Sequence, residues 1–351
     1  MTADALMRAA CASHPFNTSG STMNNTSSSR ARRLAGAIAL ASALLLAATA
    51  SLAQSTSNYP EKPISWIVGW PPGGSADSAT RLVARKIEQA LGQSVVVDNR
   101  AGASGAIALQ ATAKARPDGY TILTVPGPVL MRLPVPQVGN ELTGVAMLGK
   151  GPAVLVGTMA KPLPGTVKEL IAAAKARPAD FAYASSGNGT AQHLAGELFN
   201  QMAGTAITHV PYKGGTQAVT DVIGGQVPLA VLGITAVLPH LKSGSLRAYA
   251  VTTTDRAPSL PAVPTLQEAG LPGFEATQWF MVAAPAGTPA DRIQKLNETI
   301  NQVLKDPEVV KGFAAVGMAP ETALPAQATR FVVEDQRRWQ DLAQKANLTL
   351  D

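Results

Sequence analysis

Two glycine-rich turns limit what this chain can fold into. The first is Trp70-Pro71-Pro72-Gly73-Gly74-Ser75-Ala76-Asp77 and the second is Ser185-Ser186-Gly187-Asn188-Gly189-Thr190. Each follows a short apolar run, residues 64–68 and 181–184, and each leads into a helical pattern. After the first turn Leu82, Val83, Ile87 and Leu91 share one helix face, and Gly92 supplies a stop. After the second, residues 193–202 read as helix. A strand that turns sharply into a helix and is followed by another strand is the βαβ unit of a parallel sheet. One such unit at each turn predicts two α/β lobes.

The rest of the chain fits that plan. Strands are predicted at 95–97, 120–125, 229–232, 248–252 and 279–284, and helices at 107–115 and 216–223. Thr166 followed by Glu169 is a capping-box pattern that opens a helix to about Ala176. The C-terminal part becomes helical, with starts near Pro289, Pro307 and Pro325, where a first helical turn tolerates proline. The predicted division is a first lobe at 54–152, a second at 153–281 and a return to the first at 282–351. Two crossings, near 149–153 and 279–284, make the pair hinged.

Residues 1–53 read as a cleaved signal peptide. Arg30, Arg32 and Arg33 precede the apolar run 34–48, which is short for a membrane span. Ser51-Leu52-Ala53 offers small residues for cleavage after Ala53. Either Met1 or Met23 suits a start, and Arg32-Arg33 suits general or twin-arginine export. The segment holds four of the 29 basic residues and one of the 23 acidic ones, so its removal lowers the formal net charge from +6 to +3. The basicity is thus partly an export signal, and nucleic acid is not an expected partner. The single cysteine, Cys11, also leaves with this segment. The mature chain then has no disulfide, thiolate nucleophile or lipid-attachable cysteine, and its expected location is the periplasm.

Enzyme signatures are missing. There is no nucleophile elbow, phosphate loop or zinc helix, and no nucleophile–base pair is apparent. His193, His209 and His240 lack ligand spacing. Gly102-Ala103-Ser104-Gly105 lacks the full dinucleotide fingerprint and fits close packing. No cofactor or metal is expected. What remains is the chemistry of the two turns. Glycine lets a ligand approach the backbone, and the helix behind each turn offers unpaired N–H groups and the positive end of its dipole. Two such ends across one cleft suit a small organic anion, with a dicarboxylate the natural guest. Asp77 and Thr190 also fit helix caps, and His193 a brace for the second turn.

These turns belong to a longer series of motifs. Tyr59-Pro60-Glu61-Lys62-Pro63-Ile64, Val96-Val97-Asp98-Asn99-Arg100-Ala101-Gly102 and Pro117-Asp118-Gly119-Tyr120-Thr121 lie around the first turn. Tyr183-Ala184, His209-Val210-Pro211-Tyr212-Lys213-Gly214-Gly215, Gly224-Gly225-Gln226-Val227, Leu238-Pro239-His240, Val263-Pro264-Thr265 and 283–289 accompany the second. In this order, from Tyr59 nearly to the C-terminus, the chain resembles the Bug-type (TctC-like) solute-binding proteins of tripartite tricarboxylate transporters. The resemblance implies a two-lobed periplasmic binding protein of type II, the Venus-flytrap form, without enzymatic activity. It implies a small carboxylate ligand, membrane transporter subunits as partners and a monomeric state. It points to Gly73, Gly74, Ser75, Ala76 and Asp77 in one lobe and Ser186, Gly187, Asn188, Gly189 and Thr190 in the other, acting through backbone N–H groups and waters.

Three departures bear on specificity. Where family members often carry an aspartate, this chain is apolar at or near Leu232, which disfavours a ligand amine. A Ser/Thr-rich turn is replaced by Pro126-Gly127-Pro128, and the segment to Leu142 is shortened. Trp70 stands where phenylalanine is common and would narrow the cleft or stack on a planar ligand. The ligand is not named by these residues. A periplasmic sensor feeding a receptor kinase, or a hydrolase or isomerase on the same fold, remain the competing functions.

Overall fold

The computed structural model describes residues 58–129 and 135–345. The expected signal peptide at 1–53 and its cleavage site lie outside the described residues, as do positions 130–134 of the segment expected to be shortened. β1 (Ile64–Val68) is buried at Ile64, Trp66, Ile67 and Val68, which explains its unbroken apolar run. The first glycine-rich turn delivers the chain into α1 (Ser75–Leu91), whose face of Ala76, Ala79, Val83 and Ile87 is buried. Gly92 ends it with φ 65°, its N–H returning to Glu88 O. β2 (Val95–Asn99), a single 3₁₀ turn at Ala103–Gly105, α2 (Ala106–Ala113) and β3 (Thr121–Gly127) follow. β1 lies between β2 and β3, parallel to both. Trp66 Nε1 donates to Thr124 Oγ1 at 2.9 Å, and Thr124 and Thr80 share a hydroxyl hydrogen bond of 2.6 Å. Thr80 then donates to Ala76 O, so β1, β3 and α1 are tied by one buried polar chain.

β4 (Leu142–Thr158) is a 17-residue strand that the sequence pattern conceals. Gly144, Gly149, Gly151 and Pro152 interrupt its apolar run and look like turns. The register instead shifts between Gly144 and Ala146 and between Met147 and Gly149, so Gly144 and Gly149 sit at bulges. They also admit neighbours: a methyl group on Gly144 would lie 2.4 Å from Thr329 Oγ1, and one on Gly149 2.5 Å from Ala319 O.

The second lobe contains α3 (Val167–Ala176), β5 (Ala182–Ser185), α4 (Ala191–Ala203), β6 (Thr208–Pro211), α5 (Gly215–Ile223), β7 (Leu229–Gly233), α6 (Ile234–Lys242) and β8 (Leu246–Val251). The capping box forms: Thr166 Oγ1 accepts from Glu169 N, and the Glu169 carboxylate accepts from Thr166 N. β5 runs parallel to β6 and β7. α6 was not expected from the pattern, because Pro239 interrupts its apolar repeat; the proline is accommodated inside the helix. β9 (Thr277–Pro285), α7 (Ala290–Val303), α8 (Pro307–Ala315), β10 (Ala319–Pro320) and α9 (Pro325–Lys345) complete the order.

The strand order is β2-β1-β3-β9-β4-β7-β5-β6, with β8 and β10 also on β4. From Leu142 to Pro152, β4 pairs with β9; from Ala153 it pairs with β7 and β8. β9 pairs with β3 and β4 from Thr277 onward. Thr252 fastens both strands where they change sheets: its Oγ1 accepts from Ala153 N and donates to Ala276 O. α9 touches both lobes. Ala328 and Val332 pack among Leu142, Met147 and Trp279, whereas Trp339 and Ala343 pack among Leu271, Phe274 and Ala276. The result is a two-lobed α/β fold.

Candidate ligand-binding cleft

The first turn is held from behind by side chains of its own motif. The Asp77 carboxylate accepts from Gly73 N at 3.0 Å, Arg81 Nε at 2.9 Å and Asn99 Nδ2 at 2.9 Å. Asn99 Nδ2 also donates to Trp70 O. Burial alone would raise the Asp77 pKa, but the hydrogen bonds from Arg81, Gly73 and Asn99 outweigh it and hold the carboxyl below its usual range. Asp77 is therefore neither the N-cap of α1, a position taken by Gly74, nor a lining residue of the cavity described below. It shapes the turn that presents Gly74, Ser75 and Ala76.

The second turn is braced by an aromatic pair. Ser185 Oγ accepts from Gly187 N, and Thr190 Oγ1 donates to Gly187 O at 2.7 Å while accepting from His193 N. Thr190 is thus the N-cap of α4. His193 Nδ1 accepts from Gly189 N at 3.0 Å, which fixes Nδ1 as the unprotonated nitrogen. Its ring stacks on His209 at 3.9 Å between centroids. Burial depresses both imidazoles: His193 falls to about 4, and His209, with His193 beside it, to about 3. Ser185 Oγ and His209 Nε2 lie 2.7 Å apart, so a serine–histidine pair does exist, contrary to the sequence reading. Ser185 is fully buried and is not among the residues lining the cavity described below.

Between the lobes lies a cavity of about 310 Å³. Of the expected site residues, Trp70, Gly74, Ser75, Ala76, Ser186, Thr190 and Leu232 line it. Gly73, Asp77, Gly187, Asn188 and Gly189 do not. Gly73 faces Thr216 across the cleft, and a methyl group on Gly187 would lie 2.8 Å from Ser104 Oγ. Gly187 and Asn188 instead border a smaller cavity of about 210 Å³, which shares Trp70 and Ser186 with the main one. Sequence reading missed Gly214, Gly215, Thr216, Gln217, Thr220, Gly233, Ala236, Gln192 and Gln278, all of which line the main cavity. Gly214-Gly215 and Gly233 carried the same glycine-before-helix signal as the two turns. The glutamines carried none.

The wall from Pro126 to Val129 also lines the cavity. Its shape follows from the residue beneath it. A methyl group on Gly127 would collide with the Trp279 indole, at 1.9 Å from the nearest ring carbon, so only glycine fits. Trp279 is itself held by Nε1 donating to Asp335 at 2.7 Å and by the edge of Phe331.

Three helix starts meet around this space. α1, α5 and α6 begin at Gly74, Gly214 and Gly233, and none has a side-chain cap. A methyl group on Gly214 would lie 2.9 Å from Pro71, and one on Gly233 2.5 Å from Ser75 Oγ. Their N–H groups and dipole ends favour an anion. Among the described residues, no charged side chain lines the cavity, and no group of three or more His, Cys, Asp or Glu is placed to hold a metal ion. The donors that this arrangement offers are neutral.

Comparison with known proteins accords with this geometry. The family model described as "Tripartite tricarboxylate transporter family receptor" matches residues 79–348. Protein BugT of Bordetella pertussis is 43% identical over 312 residues, covering 86% of this chain and 95% of its own. Among solved structures, R. palustris Rpa4515 with adipate superposes with a TM-score of 0.79 at 34% identity, covering 82% of this chain and 98% of its own. MatC from Rhodopseudomonas palustris with bound malate gives 0.74 at 28% identity, covering 81% and 99%. The chain belongs to the tripartite tricarboxylate transporter receptor family, the solute-binding proteins of the Bug type.

Proposed function

We propose that this protein captures a small carboxylate between its lobes in the periplasm and delivers it to the membrane subunits of a transporter. The observation that carries this reading is the meeting of three uncapped helix starts around one cavity. Such a site neutralises an anion without a basic side chain. The adipate and malate in the two related structures support the same ligand class. The protein performs no chemistry on its ligand, since Ser185, the nucleophile of its serine–histidine pair, is sealed from the cleft. It acts as a monomer, exported by a signal peptide cleaved after Ala53. The lobes hinge where β4 changes partner at Pro152–Ala153 and where the chain returns at Ala276–Thr277. Thermal-shift screening of the purified mature protein tests this: carboxylates are expected to raise the melting temperature, and sugars or amines to leave it unchanged. Stabilisation by an amine or a sugar alone would overturn the assignment.

A further inference from the structure

Two glutamine side chains in the cleft have polar atoms without a hydrogen-bond partner among the described residues. Gln278, on β9 where the chain re-enters the first sheet, is 8% exposed and lines the cavity. Neither its Oε1 nor its Nε2 makes a hydrogen bond to any described residue. Gln192, on the first turn of α4, is 4% exposed. Its Oε1 accepts from Ser186 Oγ at 2.7 Å, which turns Nε2 outward as an unused donor. A primary amide that a ligand seals from the cleft water is costly unless the ligand hydrogen-bonds it. Both face the same enclosed space, so what completes them is whatever that space holds.

The position of Gln278 says more. Its Oε1 and Ser75 Oγ lie 2.7 Å and 2.5 Å from the same point, the site of a methyl group on Gly233. The amide therefore sits where the starts of α1 and α6 meet. A carboxylate takes hydrogen bonds but gives none. Backbone N–H groups and Nε2 satisfy it, but Gln278 Oε1 requires a donor. Around that floor the wall is largely apolar, with Trp70, Pro126, Pro128, Val129, Leu232 and Ala236, and its remaining polar side chains, Thr216, Gln217 and Thr220 among them, are neutral. A second carboxylate placed against this wall would lose water without a charged partner among the described residues. A hydroxyl or carboxamide loses less and supplies the missing donor.

We infer that the cleft selects a monoanion, a carboxylate whose other polar group is neutral, and that Gln278 and Gln192 are the side chains that read it. This rests on the carboxylate reading above and narrows it. The ligand then differs in charge from adipate and malate while occupying the same kind of site.

Matched pairs that differ only in that charge test the idea. A panel of dicarboxylates on straight-chain and aromatic skeletons, adipate and terephthalate among them, is titrated calorimetrically beside the monoamide of each. The proteins are the wild type and Gln278→Leu. The monoamide is expected to bind roughly tenfold or more tightly than its parent diacid, the scale of one hydrogen bond involving a charged or buried group. Gln278→Leu is expected to abolish that preference with the melting temperature of the ligand-free protein preserved, and Gln278→Asn to restore part of it. Tighter binding of the diacids, or a preference that survives Gln278→Leu, overturns the inference and leaves carboxylate binding standing. If no member of the panel binds, the carboxylate reading itself fails, and the inference with it.

Discussion

Leu232 is fully buried near the end of β7 and lines the cavity, where the proposed carboxylate would meet it. Leu232→Asp places a carboxylate against an anion in a dry site, where repulsion and desolvation add. The expected result is at least a roughly tenfold loss of affinity by calorimetry, with Leu232→Met as the control that keeps binding. Equal affinity in the aspartate variant would take Leu232 out of the recognition surface. His193 and His209 sit behind the second turn as neutral rings. Their folded pKa values, about 4 and about 3, lie below the value of ~6.5 for an unfolded histidine. The unfolded chain therefore takes up protons first as pH falls. Stability should be flat above about pH 7 and decline below ~6.5, by up to about 1.4 kcal/mol per pH unit for each ring. Urea titrations at pH 7.5, 6 and 5 measure this. Ligand affinity should stay level from about pH 6 to 8, because backbone and amide donors do not titrate there. An affinity that drops as pH rises through ~6.5 would instead require a charged imidazole at the ligand.

Helix starts are the elements that form the site, and Gly233 is where one of them meets the opposite lobe. Its φ of −57° is ordinary, so alanine is tolerated by the backbone. The added methyl group would nevertheless lie within 2.7 Å of both Ser75 Oγ and Gln278 Oε1. Gly233→Ala is expected to hold the lobes apart and weaken binding about tenfold or more, while the ligand-free melting temperature changes little; unchanged affinity would count against convergence of α1 and α6 on the ligand. Thr166→Ala offers the contrast, removing a cap far from the cleft at a cost of about 1 kcal/mol in stability. These elements also show what the sequence made legible. α1, α4 and the capping box of α3 were readable because glycine stops, caps and apolar faces are local. β4 was not, since its glycines serve neighbours that arrive from residues 313–329, far along the chain. Gln192 and Gln278 were invisible for a related reason: only the fold removes their amides from water. Asp77 was misread as a cap because its true partners, Asn99 and the Gly73 N–H, form around a turn whose shape the pattern does not specify.

At the scale of the molecule, the lobes are joined by more than the two strands at Pro152–Ala153 and Ala276–Thr277. α9 is anchored in both cores, and Arg338 adds a hydrogen bond to Glu275 O. Trp339 is 2% exposed, and Trp339→Ala is expected to cost about 3–5 kcal/mol, measured by denaturant unfolding. A loss under about 1 kcal/mol would show that the helix end is not structural. The helix also has a mechanical consequence. Two bodies linked by a pair of adjacent strands retain freedom to bend and to twist about one another. A helix that packs along those strands and is anchored in both cores stiffens the pair against that twist. Bending, rather than twisting, is then the expected route by which the proposed carboxylate enters and leaves the cleft.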